Sequence, residues 1–269
     1  MQLINSVNLL SHAGKMQLIN SVLFGLENFW CSALLLPQVV IKLVNKLCKN
    51  YFRGTPTGQR KMTFQSWGSI CAPWQKGGFN IKELLSWNKA LISKWLWLLT
   101  QGRGGIWVAW TMSYVTVDSS IWTVQSKPHF AESWRAILKV RDHLLVIAGN
   151  QQGAQAALNS CVLKGEFVVS KAYNLFRKKR IKLGWTKALI CLELLPKHKV
   201  CVIQATQQVL STLDKISARG YPMVNWCCLC ETTWESHRHL FFRCSYSKNL
   251  CRLMMSWLVI PGCRVDFFS

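Results

Sequence analysis

Acidic residues are scarce in this sequence. It contains 11 Asp and Glu against 33 Lys and Arg among 269 residues, which gives a formal net charge of +22. A fold with this charge repels itself unless a polyanion neutralises it. The imbalance favours nucleic acid as the partner, with an acidic membrane surface as the rival interpretation.

Long apolar runs are also missing. A helix that crosses a bilayer needs roughly 18 or more apolar residues, whereas the longest candidate, Phe29 to Ile41, is shorter and contains Pro37. The beginning of the chain lacks the basic, apolar and small-residue order of a signal peptide. We therefore expect neither a membrane segment nor secretion.

Dense cysteine spacing, the mark of a secreted disulfide scaffold, is absent over most of the chain. The 12 cysteines are spread from Cys31 to Cys263, and only those between Cys227 and Cys244 form a cluster. Dispersed cysteines in a chain of this length are typical of thiols in a reducing compartment. We predict an intracellular protein, for which a nuclear or ribonucleoprotein-associated location is plausible.

Helical periodicity dominates what is present. Half of the residues are hydrophobic, and apolar residues recur every three or four positions from Met16 to Trp30 and again from Leu84 to Leu99. Asn80 stands where it could cap the second of these helices. The predicted fold class is mostly α: a helical region, then a small module with flanking helices.

Small polar residues without charge or aromatic ring fill positions 149–160, which we interpret as a linker. It separates a helical region, 16–148, from a second domain, 161–260, with a tail at 261–269. The segment MQLINSV occurs twice, at Met1–Val7 and Met16–Val22. Because one repeat is too short for a solenoid, we expect residues 1–15 to be poorly ordered and the second copy to fold.

Two basic segments are candidates for phosphate contacts. After Pro37, a predicted helix places Lys42, Lys46 and Lys49 away from its apolar residues. The second run forms the basic end of another predicted helix and consists of Arg177, Lys178, Lys179, Arg180 and Lys182. Either set could instead be a solvated surface, but in so basic a chain we predict that both bind RNA or DNA.

The stretch WCCLCETTWESHRHLFFRC, from Trp226 to Cys244, has the spacing C-x2-C-x8-H-x4-C. Its donors are Cys227, Cys230, His239 and Cys244. Three thiolates and one imidazole are a ligand set that zinc prefers, and four protein ligands leave no position for a reacting water. We predict one structural zinc ion. The alternatives are His237 in place of His239 and a chance cluster of buried thiols.

Other histidines and acids do not suggest catalysis. Histidines outside the cluster lie far apart without a recognisable partner, and the acidic residues are scattered. We therefore expect no enzyme activity from the chain.

The sequence resembles the C-terminal part of plant LINE-type non-LTR retrotransposon reverse transcriptases. The likeness rests on two blocks: first WGSICAPWQKGGFNIKELLSWNKALISKWLW with the flanking helices, then FVVSKAYNLFR and CCLCETTWESHRHLFFRC. It implies a thumb and connection region followed by a zinc-binding domain, whose ligands correspond to Cys227, Cys230, His239 and Cys244.

The sequence also departs from this family, because it lacks the polymerase's catalytic residues. The polymerase of this family holds its catalytic metals with paired aspartates, and no two acidic residues are adjacent here. We also expect no ribonuclease H domain after Ser269. We therefore expect a non-catalytic fragment of a retrotransposon polyprotein, which could act beside its polymerase part. A zinc-stabilised protein interaction module and a decayed, non-functional remnant are the alternatives.

Overall fold

The computed structural model describes residues 10–53, 65–114, 120–187, 194–220, 222 and 224–258. The chain forms two compact units. Unit 1 comprises Met1–Arg60 and Trp67–Leu192, and unit 2 comprises Lys61–Ser66 and Glu193–Ser269. Each unit is described by itself.

Unit 1 is a helical assembly with one small hairpin. Its helices are α1 His12–Ala33, α2 Gln38–Arg53, α3 Trp67–Ile70, α4 Leu84–Gln101, α5 Ile106–Tyr114, α6 Glu132–Ala148, α7 Gln151–Ser160 and α8 Val169–Phe176. A 3-10 turn covers Trp74–Lys76. Strands β1 Val162–Leu163 and β2 Glu166–Phe167 pair antiparallel. The predicted mostly helical class is confirmed.

Helix α4 is the centre of unit 1 and packs against α1, α6 and α8. Its side chains Leu96 and Leu99 are fully buried with Leu138 and Leu144 of α6. Burial of this apolar surface provides the main stabilisation of the unit. The predicted cap is wrong: Glu83 occupies the N-cap position, while Asn80 lies three residues earlier, outside the helix, with a φ of 57°.

Helix α1 begins within the segment that we expected to be poorly ordered. Ser11 caps it by accepting a hydrogen bond from the Gly14 N–H at 3.2 Å. Met16 and Ile19 are buried, but Phe29 and Trp30, which belong to the predicted apolar stripe, are largely exposed. Residues 1–9, with the whole first MQLINSV copy, lie outside the described residues, as does the tail at 261–269.

The predicted linker at 149–160 is instead helix α7. Asn150 caps it, its side-chain oxygen accepting from the Gly153 N–H at 2.6 Å, and Ala154 and Leu158 are fully buried. These two apolar residues, four positions apart, share one helix face and pack it onto the core. The division between the units falls later, near residue 192.

The basic run after α8 is extended, contrary to the predicted basic helix end. Helix α8 ends at Phe176, and Arg177 already has extended backbone angles. We call residues 177–187 the strap. It lies along the segment Trp67–Lys76, because the Leu183 N–H and the Thr186 hydroxyl both donate to the Gln75 carbonyl at 3.1 Å.

Unit 2 is formed from short elements. It contains α9 Pro196–Thr206, α10 Leu213–Ser217, a π-type turn His239–Arg243 and α11 Ser245–Leu258. The chain turns between α9 and α10 at Gln208, whose φ is 54°. Among the described helices of both units, none combines the length and apolar content that a bilayer crossing requires.

Candidate metal centre

A tight hairpin carries the first two cysteines. Trp226 and Trp234 form an antiparallel bridge, and the Cys227 N–H donates to the Thr233 carbonyl at 2.9 Å. The Glu231 N–H then donates to the Cys227 carbonyl at 2.8 Å, with Glu231 in the left-handed region. This turn brings both thiols of the C-x2-C pair to one side of the chain.

The other two candidate ligands flank the π-type turn. The Cys244 N–H donates to the His239 carbonyl at 2.8 Å, five residues earlier, and α11 begins directly afterwards. The His239 N–H donates to the Ser236 hydroxyl at 3.1 Å. A wide turn of this kind places the first and last side chains of the segment beside each other.

The four candidate donor groups meet at one point. One donor atom from each of Cys227, Cys230, His239 and Cys244 lies within 4.8 Å of the others. The Cys230 Sγ is 3.3 Å from the His239 Nε2. Around a tetrahedral zinc ion the donors are about 3.5–3.8 Å apart, so this arrangement fits one zinc ion. The predicted cofactor is thereby confirmed.

The thiols differ in their electrostatic environment. Cys227 and Cys244 are fully buried, and burial raises the pKa of the Cys227 thiol. The pKa of Cys230 is lowered to about 5, chiefly by hydrogen bonds from the Thr232 side chain and backbone N–H, with a smaller contribution from His239. Thiolates are the form that binds metal, so the Thr232 contacts favour metal binding at Cys230.

His237 and Cys228 lie outside this cluster. The His237 ring packs on Phe241 with centroids 4.9 Å apart. Cys228 is exposed, and its Sγ lies 3.9 Å from the Glu235 carboxylate. The geometry thus favours His239 over His237 as the imidazole donor.

Large apolar side chains near the donor cluster are exposed. In the structure, Phe242 is 54% exposed, Leu253 67% and Trp257 84%. The face of α11 that bears these residues therefore points to solvent within unit 2, and the donor cluster has little apolar support.

Glu235 has a structural role that sequence reasoning missed. Its side chain is buried, and its Oε1 accepts a hydrogen bond from the Leu213 N–H at 3.0 Å, at the start of α10. A carboxylate at a helix N-terminus is stabilising. This contact ties the cysteine hairpin to α10. Its partner is 22 residues away, so no local spacing indicates it.

The predicted phosphate-binding residues lie on two chain segments of unit 1. Lys42 and Lys46 on α2 are exposed and Lys49 is half-buried, and Lys178, Lys179, Arg180 and Lys182 on the strap are exposed. Arg177 is half-buried: its guanidinium donates to the Cys71 carbonyl and lies 5.1 Å from the centre of the Tyr173 ring. Arg177 therefore holds the strap in place.

Comparison with known proteins agrees with the geometry. Residues 167–250, which contain all four donors, match a family described as zinc-binding in reverse transcriptase. The chain is also similar to a protein of Arabidopsis thaliana whose name describes it as a ribonuclease H protein, with 29% identity over 131 residues. The match covers 48% of this chain and 21% of that protein. No solved structure matches the chain.

The segment that carries the described donor cluster is thus similar to zinc-binding modules of reverse transcriptases. The matched segment begins in unit 1 at Phe167 and continues into unit 2. It therefore includes the strap as well as the metal cluster.

Proposed function

We propose that this chain is a zinc-containing, nucleic-acid-binding part of a plant LINE-type non-LTR retrotransposon reverse transcriptase, and that it has no catalytic activity of its own. The convergence of three thiols and one imidazole inside the matched segment carries the proposal. The polymerase part of a related polyprotein is the expected protein partner. A nuclear or ribonucleoprotein location would follow from this role.

In this proposal Cys227, Cys230, His239 and Cys244 bind one zinc ion, which has a structural role. Four protein ligands complete the tetrahedron, so no coordination position remains for a substrate or water. Zinc binding energy then becomes folding energy for the segment that carries the ligands.

The nucleic-acid role rests on charge. The chain carries three times as many basic as acidic residues, 33 against 11, and the lysines of α2 and the strap are mostly exposed. Contacts to phosphates do not read sequence, so we expect affinity for RNA or DNA with little sequence preference.

Metal analysis of purified variants tests the zinc site. We expect one zinc ion per chain in the wild type and close to none in Cys230→Ser and His239→Asn, because a three-ligand site loses most of its affinity. Cys228→Ser and His237→Asn are matched controls one or two residues away, and both should keep the metal. Zinc loss in His237→Asn but not in His239→Asn would contradict the ligand set.

Filter binding of labelled RNA across a salt series tests the nucleic-acid role. Neutralisation of phosphates releases counterions, so the affinity should fall steeply as salt rises. Binding that does not depend on salt, or no binding, would contradict this part of the proposal.

The second candidate function is a zinc-stabilised protein interaction module. Tyr246, Leu250, Leu253, Met254 and Trp257 lie on α11 at helical spacing, and all five are about half exposed or more. If this face binds a protein, association should survive high salt and should weaken in Leu250→Ser/Leu253→Ser, measured by light scattering or by pull-down with the polymerase part. The first candidate predicts that the same variant binds RNA as the wild type does.

A further inference from the structure

Lys42, Lys46 and Lys49 form the basic stripe of α2. This stripe and the strap lie far apart in sequence but border the same short helix, α3. Between Lys49 and Lys178 there are more than a hundred residues. In the structure the Trp67 Nε1 donates to the Asn45 side chain of α2 at 3.2 Å. Two residues later, Ser69 accepts from the Arg180 guanidinium of the strap at 3.4 Å. Helix α3 is thus flanked by both basic segments.

The contact with α3 falls beside the basic stripe of α2. At about 100° per residue, Lys42, Lys46 and Lys49 lie within an arc of about 60°, and Asn45 lies between that arc and the buried face. The buried face consists of Ile41, Cys48 and Phe52. Since Asn45 is the residue that meets Trp67, α3 borders α2 on the side of its lysines.

The strap presents its own lysines in the same region. Arg177 is engaged with the Cys71 carbonyl and Arg180 reaches Ser69, so these two arginines hold the strap against the segment Trp67–Lys76. Lys178, Lys179 and Lys182 are exposed between and beside these contacts. Helix α3, with a diameter of about 10 Å including side chains, thus lies between α2 and the strap.

Acidic residues do not neutralise this region. Residues 28–82 carry eight Lys and Arg and no Asp or Glu, and residues 167–192 carry seven and again no acid. Within the described residues, the ion pairs are formed by Glu132 and Asp142 and include no residue of α2 or the strap. Glu83 adjoins Tyr173, on which Arg177 packs, and forms none of these pairs. The charge of the six lysines is therefore available to an external polyanion.

We propose that Lys42, Lys46 and Lys49 of α2 and Lys178, Lys179 and Lys182 of the strap form one surface that binds the phosphate backbone of a single RNA strand. We call it the α2–strap face. The inference rests on the proposed function and deepens it: binding occurs at one composite face of unit 1, with the strap arginines as positioning residues.

A charge-removal series tests the α2–strap face. The variants are Lys42→Gln/Lys46→Gln/Lys49→Gln and Lys178→Gln/Lys179→Gln/Lys182→Gln. The matched control is Lys94→Gln/Lys127→Gln/Lys164→Gln, which removes three exposed lysines of the same unit. The probe is a fluorescein-labelled oligouridine of about ten nucleotides, long enough to cross both rows of lysines. Circular dichroism and zinc content verify that each variant is folded.

We expect the wild type to bind one oligonucleotide per chain. Each single-strand phosphate contact contributes about 0.7 to the slope of log affinity against log salt. Either triple variant should therefore lower the slope by about 2 and the affinity by about tenfold to a hundredfold at about 0.1 M salt. The control should change neither the slope nor the affinity beyond a small nonspecific effect.

Three results would overturn the inference. If the wild type binds the RNA with a steep salt dependence but both triple variants behave like the control, the proposed function stands and the α2–strap face is wrong. Two oligonucleotides per chain, with one lost in each variant, would mean two separate sites.

The third result concerns α2, whose Leu43 and Leu47 are exposed beside the lysines. If phosphatidylserine vesicles bind more tightly than the RNA and Leu43→Ser/Leu47→Ser abolishes this, the face binds membranes.

Discussion

At the scale of single residues, Lys89 and His143 form an unusual contact in unit 1. The Lys89 Nζ lies 3.0 Å from the His143 Nδ1, and the His143 ring stacks on Phe176 with centroids 5.7 Å apart. Burial, and then the charge of Lys89, lower the pKa of His143. The neutral imidazole is therefore the form that the fold favours, and it can accept a hydrogen bond from the ammonium group.

This contact predicts a loss of stability in mild acid. Because the pKa of His143 is lower in the folded state, the unfolded chain takes up a proton first as the pH falls below about 6.5. Stability that is present above this pH is lost as the pH falls toward the folded pKa. We expect His143→Gln, which cannot titrate, to show a smaller fall in Tm between about pH 7.5 and about pH 5 than the wild type.

Thermal unfolding followed by circular dichroism measures this difference. His129→Gln is the control, because it makes the same substitution at an exposed position of the same unit. Equal pH dependence in the wild type and His143→Gln would contradict the assignment.

At the scale of elements, the Asn88 side chain of α4 forms hydrogen bonds with the end of α1 and with the chain that leads into α2. The Leu36 N–H donates to its side-chain oxygen at 2.8 Å. Its amide donates to the carbonyls of Cys31 and Leu34 at 2.7 and 2.8 Å. The side chain is completely buried. These bonds satisfy backbone groups that the end of α1 leaves unpaired.

We expect Asn88→Ala to lower the free energy of unfolding by about 3 kcal/mol, because it leaves buried backbone groups without partners. Urea denaturation followed by tryptophan fluorescence measures the change. Ser93→Ala on the same helix is the control: its hydroxyl donates to Ala90, one turn earlier in α4, and we expect a loss of about 1 kcal/mol or less. Equal losses in the two variants would argue against the role of Asn88.

The cysteine hairpin and Asn88 show which features can be predicted from the sequence and which cannot. The cysteine hairpin could be predicted because its donors lie within 18 residues and depend on local turns. Asn88 could be placed on the apolar stripe of α4, but its partners are 52 to 57 residues away. Helix α7 was missed because its composition is that of a linker, and its stability comes from packing of Ala154 and Leu158. Likewise, contacts with a distant segment set the path of the strap.

At the scale of the whole molecule, the two units have different sources of stability. The large apolar cluster of the described residues, from Trp87 to Phe176, lies in unit 1. In the described part of unit 2, the buried hydrophobic residues are Val200, Ile203, Cys227 and Cys244. So small an apolar core supplies little folding energy, and metal coordination is the natural substitute.

We therefore predict that chelation of zinc unfolds unit 2 but leaves unit 1 folded. After treatment with a strong chelator, amide protons of α9, α10 and α11 should lose protection against hydrogen exchange, while those of α4 and α6 should keep it. Mass spectrometry of peptic fragments separates the two sets. Unchanged protection in unit 2 would contradict a structural role of the metal. Loss of protection in α4 would contradict a role that is limited to unit 2. Added zinc should restore the original pattern.

The extended, exposed course of the strap also exposes it to proteases. Trypsin cleaves after lysine and arginine in chain segments that can enter its active site, and regular helices resist this entry. Lys178 and Lys179 lie outside any helix, whereas Lys42 and Lys46 are within α2. Brief digestion should therefore nick the free protein in the strap, and the fragments would report whether a bound ligand covers that side of the molecule.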